Sequence, residues 1–366
     1  MNITGKITGI RYKIFLNENL QTVDIKGFNI NECPASCLVK DGDNTFALSK
    51  WVSPKRTRSY PYERVYNTLN FSKKITVIPI VKDEGADGDR DFLQWDTVSL
   101  MSLLDVFVIF AYYDKAVKND RYENKITDFQ FDNKYVISKI KEIENYHSSA
   151  LHWNLNELNE NFTPLFAKAK NCYAEISKQT GVKMHDLKKI DTFQIRLMTS
   201  LTGFMLFSRM KAELAQSREI ATTQPKDNLS TFTKAKITIT NYLGGQYFFT
   251  VDEVKIENDT ISLIESKHSA NSVLPSKGDI KDGLLKMILY SNLVDVEVDG
   301  VPMKSKAVLN LTSAKMKGNL TSEIPVWDRA AFLLDNAILQ EQIRFIDTLL
   351  DEAVENKFCI KICKLR

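Results

Sequence analysis

Several signatures that mark common enzyme classes are missing from this sequence. It contains no G-x-S-x-G pattern, no Walker pattern and no dinucleotide-binding glycine pattern. Histidine is scarce, and His147, His152 and His185 fall in segments of helical periodicity without the spacing of metal ligands. No motif therefore indicates a serine hydrolase, a nucleotide-dependent enzyme or a histidine-rich metal centre.

Long apolar runs are missing too. No segment approaches the about 18 consecutive apolar residues of a membrane-spanning helix, and the opening MNITGKITGIRYKIF has no apolar core of signal-peptide length. We therefore expect a protein that neither spans a membrane nor is exported by that route.

The 49 basic residues nearly balance the 46 acidic ones, so only local clustering of charge could argue for nucleic acid.

Cysteine is sparse and odd in number, which fits a reducing cytoplasm better than a disulfide framework. Two pairs have C-x3-C spacing, and the five cysteines are Cys33, Cys37, Cys172, Cys359 and Cys363. A four-thiolate metal site is disfavoured because C-x2-C is the commoner ligand spacing and no histidine is close to either pair in sequence. We expect a cytoplasmic protein.

The composition is that of an ordinary globular protein, with 43% apolar and 26% charged residues. Short alternating runs such as ITGIRYKIFL favour strands at the start, helical periodicity dominates the middle, and the polar interval TTQPKDNLS separates it from a second β-rich block. We predict an α/β protein with a β-rich, mixed N-terminal region at 1–131, a helical region at 132–221 and a mixed β-sheet core flanked by helices at 231–366.

A strand, helix, strand unit is expected inside the N-terminal region. Ile75–Val81 and Val106–Tyr113 have the apolar composition of buried strands, and Asp96 is the expected N-cap of the helix between them. Such a unit favours parallel pairing of its two strands.

Further helices follow from amphipathic periodicity. Asp132 is the expected N-cap of a helix over YVISKIKEI, and a long amphipathic run covers Phe193–Arg218. A single helix is expected over Asp328–Glu355.

The stretch VDEVKIENDTISLIESKH has the pattern of a β-hairpin. Strands over Tyr247–Glu257 and Thr260–Lys267 would be joined by a turn at Asn258-Asp259, which makes Asp252 and Glu265 neighbours. Glu265 and Lys267 are two residues apart and project from the same face of their strand.

Adjacent carboxylates repel each other unless a cation lies between them, and oxygen ligands favour a hard divalent ion. With Asp252 and Glu265 as ligands of Mg²⁺, Lys267 would stabilise negative charge that develops on a phosphate or lower the pKa of a metal-bound water. These residue types are what hydrolysis of a phosphodiester requires.

Asp252, twelve intervening residues and then Glu265-Ser266-Lys267 resemble the D…(D/E)-x-K signature of the PD-(D/E)xK nucleases. Residues 244–293 also resemble part of a restriction endonuclease. The resemblance implies that Asp252 and Glu265 bind Mg²⁺, that Lys267 is the catalytic lysine, and that a helix follows the motif strand. Val251 stands where the family name has proline, which the family often lacks.

We therefore expect a Mg²⁺-dependent enzyme, with Mn²⁺ as a substitute, that cleaves double-stranded DNA in the manner of a type II restriction endonuclease. Cleavage of both strands favours a homodimer. A repair or recombination nuclease acting on ends or junctions is one alternative, and an inactive DNA-binding protein with a nuclease fold is another. Glu265 and Lys267 as a mere solvated ion pair at a strand end would be the bland explanation.

Two segments are candidates for contact with DNA. One is the basic, aromatic loop KRTRSYPYER, whose charges could instead pair with the acidic run about 25 residues later. The other is the helix expected from about Asp279 to Tyr290, with Ile280, Leu284, Met287 and Ile288 inward. The candidate residues are Lys55, Arg56, Arg58, Arg64, Lys277 and Lys281.

The acidic run KDEGADGDRD, at 82–91, lacks the glycine position and final glutamate of a calcium-binding EF-hand loop. A metal loop and one wall of a DNA cleft are possible roles, and a solvated loop is the favoured expectation. His268 is expected to face away from Lys267 and to have a structural role.

Overall fold

The computed structural model describes residues 1–16, 18–55, 61–186, 203, 205–206, 209–210, 233–323 and 326–364. The chain divides into a discontinuous unit, Met1–Glu18 with Lys211–Arg366, and an inserted unit, Asn19–Met210. This division differs from the predicted boundaries near residues 131 and 221. The first strand, β1 (Asn2–Ile7), belongs to the discontinuous unit because it pairs in parallel with a strand that begins at Thr233, a long-range contact that local sequence patterns do not encode.

The inserted unit is built on a five-stranded sheet, in the order β2-β3-β4-β5-β8, with two smaller ladders, β6-β7 and β9-β10. Its strands are β2 (Thr22–Asp24), β3 (Ser36–Asp41), β4 (Asn44–Lys50), β5 (Lys74–Pro79), β6 (Val81–Asp83), β7 (Arg90–Phe92), β8 (Phe107–Ala111), β9 (Tyr113–Lys118) and β10 (Ile126–Phe131). Its helices are α1 (Pro61–Tyr66), α2 (Trp95–Leu103), α3 (Asn133–Glu144), α4 (Ala150–Asn156) and α5 (Phe162–Thr180), with a 3₁₀ turn at Ile25–Gly27 and a π-helical turn at Glu157–Asn161.

The predicted strand, helix, strand unit is confirmed, since β5 and β8 are parallel neighbours joined through α2. Every residue of both strands is buried, as expected for apolar runs in a parallel sheet. The predicted cap is wrong, because α2 begins at Trp95 after Gln94 and Asp96 lies in its first turn.

The helical segment packs on the sheet of the same unit, with α3 and α4 against β8 and α5 against β9. The Asp132 cap is confirmed, since its Oδ1 accepts a hydrogen bond from the backbone N–H of Tyr135 at 3.0 Å. Asn154 fixes α4, because its Oδ1 accepts from the N–H of Val108 at 2.8 Å. The amphipathic run predicted at Phe193–Arg218 and the boundary at 222–230 lie largely or wholly outside the described residues.

The discontinuous unit contains a nine-stranded mixed sheet within the described residues, in the order β15-β14-β1-β11-β12-β13-β16-β18-β17. Its other strands are β11 (Thr233–Asn241), β12 (Gln246–Glu257), β13 (Thr260–Ser269), β14 (Val294–Val298), β15 (Val301–Pro302), β16 (Lys304–Ser313), β17 (Asn319–Thr321) and β18 (Cys359–Lys364). Its helices are α6 (Lys277–Tyr290), α7 (Val326–Asp335) and α8 (Gln340–Glu355). The predicted α/β class is confirmed.

Three neighbouring strands of this sheet, β13, β16 and β18, are parallel and pack against helices. Helix α6 packs against β13 and β16, and α8 packs against β18. The predicted inward face of α6 is confirmed, because Ile280, Leu284, Met287 and Ile288 are all at most 1% exposed.

The single helix predicted at Asp328–Glu355 is wrong, because α7 ends at Asp335 and α8 begins at Gln340. Ala337 between them has a φ of 47°, and an L-residue in that left-handed region cannot continue a right-handed helix. Among the described residues, no helix is both long enough and apolar enough to cross a membrane.

The chain segment after β1 is held by side chains of α8. The Glu352 carboxylate is fully buried and accepts hydrogen bonds from the backbone N–H groups of Phe15 at 2.9 Å and Leu16 at 3.1 Å, and from the Tyr12 hydroxyl at 2.8 Å. Just beyond α8, Asn356 accepts from the N–H of Lys13 at 2.7 Å. These side chains replace the ladder bonds that the segment would have in a strand.

We expect Glu352→Ala to lower the free energy of unfolding by about 2–4 kcal/mol, because it leaves buried backbone donors unpaired. Glu355→Ala is the matched control on the same helix, since its ion pair with Lys13 is at least half exposed and should contribute less than about 1 kcal/mol. Urea denaturation monitored by circular dichroism measures both, and equal losses would show that Glu352 does not anchor the segment.

Candidate active site

The hairpin predicted around Asn258 is confirmed, and it opens at the position of Asp252. Strands β12 and β13 pair from Glu257↔Thr260 to Glu253↔Ile264, around a turn in which Asn258 has a φ of 55°. Beyond that last pair β12 continues beside β11 and β13 continues beside β16. The two strands therefore fork where Asp252 and Glu265 follow in register.

A β-bulge lies at the same place. The register between β11 and β12 passes from Thr233↔Val254 to Ala235↔Val251, so β12 has one residue more than β11 across this step. Bulges bend a strand and re-aim its side chains. Asp252 lies within the bulge, and its Oδ2 accepts a hydrogen bond from the backbone N–H of Ser266 at 3.0 Å. The carboxylate bridges the fork and ends beside the residue that follows Glu265.

Glu265 is buried at 2% exposure and held by two ammonium groups. Lys286 Nζ lies 2.8 Å from both of its carboxylate oxygens, and Lys267 Nζ lies 3.2 Å from Oε1. A buried carboxylate requires such compensation, because burial removes its hydration. The bland explanation of Glu265 and Lys267 as a solvated pair is therefore wrong.

Lys267 lies between two carboxylates. Its Nζ is 2.8 Å from Asp282 Oδ2 as well as 3.2 Å from Glu265. Burial lowers the pKa of Lys267, but the charges of Glu265 and Asp282 outweigh burial and raise the pKa above its usual value. The two neighbouring carboxylates thus favour the protonated form of Lys267, which can stabilise negative charge.

The distance between the charged residues along β13 matches the distance between their partners along α6. Two residues along a strand advance by about 6.6 Å, and four residues along a helix advance by about 6 Å. Glu265 and Lys267 on β13 therefore meet Lys286 and Asp282 on α6 as two opposite-charge pairs. The sequence interpretation missed Asp282 and Lys286, although their i, i+4 spacing after an E-x-K strand was a readable signal.

Gly283 lets the helix come this close. A Cβ at Gly283 would lie 2.7 Å from Leu309 Cδ1 and 3.4 Å from Lys267 Cε. The glycine therefore leaves space for the Lys267 stem beside α6, and any larger residue would compete with it for that space.

The donor set fits Mg²⁺, which binds to one or two carboxylates and keeps several waters. Asp252 and Glu265 supply carboxylate oxygens from opposite sides of the fork, and no group of three or more potential metal-binding side chains occurs among the described residues. The carboxylates of Glu265 and Asp282 pair with the ammonium groups of Lys267 and Lys286, and the Asp252 carboxylate adds a third acid through its hydrogen bond to the N–H of Ser266.

The predicted DNA-contacting residues of α6 differ in placement. Lys277 has a side chain 58% exposed, 3.2 Å from Glu341, with Nζ 5.7 Å from the centre of the Phe345 ring. Lys281 is 2% exposed with its ammonium 2.5 Å from Glu18. The expectation that Lys281 faces a phosphate disagrees with this placement, because its charge is buried and compensated inside the unit.

The basic loop is described only in part. Lys55 Nζ lies 2.6 Å from Asp91, and Arg64 donates to the carbonyl of Lys50 at 2.7 Å. Burial lowers the pKa of Arg64, consistent with a guanidinium directed into the unit. Arg56 and Arg58 lie outside the described residues. The Lys55 contact agrees with the alternative that the loop pairs with the acidic run.

The acidic run forms the β6–β7 hairpin, with Asp83, Glu84 and Asp91 buried and Asp87 and Asp89 exposed at its turn, so the expectation of a solvated loop is met at the turn and not in the strands. Asp83 has no exposed surface and accepts from Arg90 Nε at 2.6 Å, with His185 Nδ1 at 2.7 Å. Asp91 is also buried. Ion pairs inside the inserted unit explain this cluster of charges.

His268 Nδ1 lies 3.2 Å from the hydroxyl of Thr312 on the neighbouring strand, which agrees with the expected structural role.

Comparisons with protein-family models, with curated proteins and with solved structures each found no match to this chain. The resemblance to the PD-(D/E)xK nucleases therefore depends on the residues of the motif and their spacing.

We expect Gly283→Ala to lower the free energy of unfolding by about 1–3 kcal/mol, because the added methyl group overpacks Leu309 and Lys267. The direction is diagnostic, since alanine in a helix is ordinarily about 1 kcal/mol more favourable than glycine. Gly9→Ala is the control, since no atom lies within 4 Å of its added Cβ. Chemical denaturation compares them, and a more stable Gly283→Ala protein would contradict the close approach.

Proposed function

We propose that this protein is a Mg²⁺-dependent endonuclease that hydrolyses phosphodiester bonds of double-stranded DNA. The observation that carries the proposal is the fork between β12 and β13. There the Asp252 carboxylate bridges to β13 beside Glu265, a buried carboxylate in contact with the cationic Lys267. A buried acid, a second acid and a fixed cation at one opening of a sheet are uncommon without a chemical use.

Asp252 and Glu265 would hold the Mg²⁺, which when bound supplies a Lewis acid and an acidified water. Lys267 contributes a fixed positive charge to the negative charge that develops on the phosphate oxygens. Asp282 orients Lys267 and keeps it protonated.

Double-stranded DNA, recognised at a specific sequence, is the substrate we infer, and a homodimer would cut both strands. The inserted unit gives the chain a second compact body beyond the one that carries the cluster. Sequence readout is the role that we propose for it, as in restriction endonucleases. Mn²⁺ should replace Mg²⁺, and the cytoplasm is the proposed compartment.

A structural role for the cluster is the competing proposal, and one observation favours it: lysines hold both oxygens of Glu265. In that case the four charges would fasten α6 to β13 in a DNA-binding protein without turnover. Substitutions would then change stability and leave no cleavage activity to lose.

We expect Asp252→Asn, Glu265→Gln and Lys267→Met each to slow plasmid cleavage at least about a hundredfold, because each removes a ligand or the charge that stabilises the transition state. DNA binding should be affected less. Rates of nicking and linearisation of supercoiled plasmid in Mg²⁺ provide the measurement. A closed circle has no ends, so its cleavage also separates an endonuclease from an end-processing nuclease.

Lys304→Met is the control for this series, since Lys304 lies on an exposed surface in an ion pair with Asp259. The Lys304→Met protein should cleave the plasmid like wild type. Wild-type cleavage by Lys267→Met would refute the catalytic assignment. Uncleaved plasmid with the wild-type protein in both Mg²⁺ and Mn²⁺ would favour the structural role.

Lys277 is the α6 lysine whose exposure suits contact with a phosphate. If it makes one contact, Lys277→Ala should weaken binding uniformly across sequences and reduce the slope of log affinity against log salt by about one. Lys255→Ala at the hairpin is the control because it removes an equally exposed lysine. Fluorescence anisotropy over a salt series measures the slopes, and identical slopes would remove Lys277 from the DNA-binding surface.

A further inference from the structure

Lys286 occupies the position on Glu265 that a divalent cation would need. Its ammonium is 2.8 Å from both carboxylate oxygens, so it lies between them as a bidentate cation would. A metal ion held by Glu265 and Asp252 would place a second positive centre against the same carboxylate. The metal ion and the Lys286 ammonium would then repel each other strongly, because both are positive and both lie against one carboxylate in a poorly hydrated site.

The two lysines on Glu265 are not equivalent. Lys267 has a second anionic partner, Asp282, at 2.8 Å, which would retain it if Glu265 turned to a metal. The contacts of the Lys286 ammonium within the described part of the chain are the two oxygens of Glu265. Lys286 is therefore the lysine that loses its partner when another cation takes that carboxylate.

Lys286 also has a path away from Glu265. Its side chain is 18% exposed, whereas that of Glu265 is 3% exposed. A lysine ammonium is carried on a flexible four-carbon stem, so it can leave by rotation about side-chain bonds while the helix stays in place. Its departure would expose the carboxylate on the side where it now bonds.

We propose that Lys286 is a positioning residue that competes with the divalent cation for Glu265 and thereby sets the affinity of the site for metal. The inference rests on the proposed function, since it takes Asp252 and Glu265 as the metal ligands. Lys286 holds the Glu265 carboxylate in its present orientation through both of its oxygens, and the incoming cation replaces it. Lys286 thus limits the affinity of the site for metal. It lies on the same face of α6 as Asp282, the partner of Lys267, and four residues after it.

The test is Mn²⁺ affinity of the full chain without DNA, measured by isothermal titration calorimetry or by electron paramagnetic resonance of free Mn²⁺. Lys286→Met should bind Mn²⁺ at least about tenfold more tightly than wild type, because loss of a charge-assisted contact of this kind corresponds to about one decade or more. Lys286→Arg keeps the competing charge and should restore an affinity close to that of wild type. Asp252→Asn should abolish the site.

Lys304→Met is the control, because it removes one positive charge from an exposed site of the same unit without touching Glu265. It should change Mn²⁺ affinity less than about twofold, which separates direct competition from long-range electrostatics. Lys286→Gln provides a second neutral variant with a polar side chain in case Lys286→Met unfolds, and thermal unfolding reports on both.

Equal or weaker Mn²⁺ binding by a folded Lys286→Met or Lys286→Gln protein would overturn the competition, while the metal site and the proposed nuclease function would stand. Failure of wild type and both variants to bind Mn²⁺ at a site that depends on Asp252 would overturn this inference and the proposed function together. A tenfold gain in Lys304→Met as well would reduce the effect to overall charge and also contradict direct competition.

Discussion

A carboxylate inside a protein is costly unless cations and hydrogen-bond donors replace its hydration, and Glu265 is such a group at 2% exposure. Its compensation comes from both the strand and the covering helix, through Lys267 and Lys286. This constraint couples chemistry to architecture, because α6 must be close to β13 and in one register for the charges to meet. The glycine at position 283, the i, i+4 pair on α6 and the i, i+2 pair on β13 all serve that one contact.

The opening of the sheet depends on the same region. A bulge in β12 and the divergence of β12 from β13 leave the N–H of Ser266 without a ladder partner on β12, and the side chain of Asp252 accepts it. The Asp252 side chain thus takes the place of a backbone carbonyl as the acceptor for Ser266. It does so next to Glu265, the other carboxylate of the motif. Geometry of this kind brings a carboxylate to a neighbouring strand without a dedicated loop, which keeps the cluster on rigid elements.

Local patterns in the sequence predicted what depends on neighbours along the chain. The hairpin, the parallel β5–β8 unit, the Asp132 cap and the buried face of α6 follow from periodicity, turn residues and capping chemistry. Local patterns could not predict two further features. Strand β1 pairs with β11 although the whole inserted unit lies between them in sequence, and Ala337 divides a helix that periodicity would continue. At the candidate site the motif predicts Asp252, Glu265 and Lys267 as functional residues, whereas the contacts of Asp282 and Lys286 with them became visible only through tertiary packing. Lys281 was misplaced because an amphipathic pattern does not reveal that a lysine is buried against a distant Glu18.

We propose that the fork between β12 and β13 is a divalent-cation site whose carboxylates are Asp252 and Glu265. Anomalous diffraction from crystals containing Mn²⁺ tests it most directly, because the ion is located independently of any activity. We expect an anomalous peak within coordination distance of both carboxylates, with the Lys286 ammonium no longer between the oxygens of Glu265 and with Lys267 still beside Asp282. A fork without Mn²⁺ at concentrations that occupy other sites on the protein, with both lysines still bound to Glu265, would contradict it.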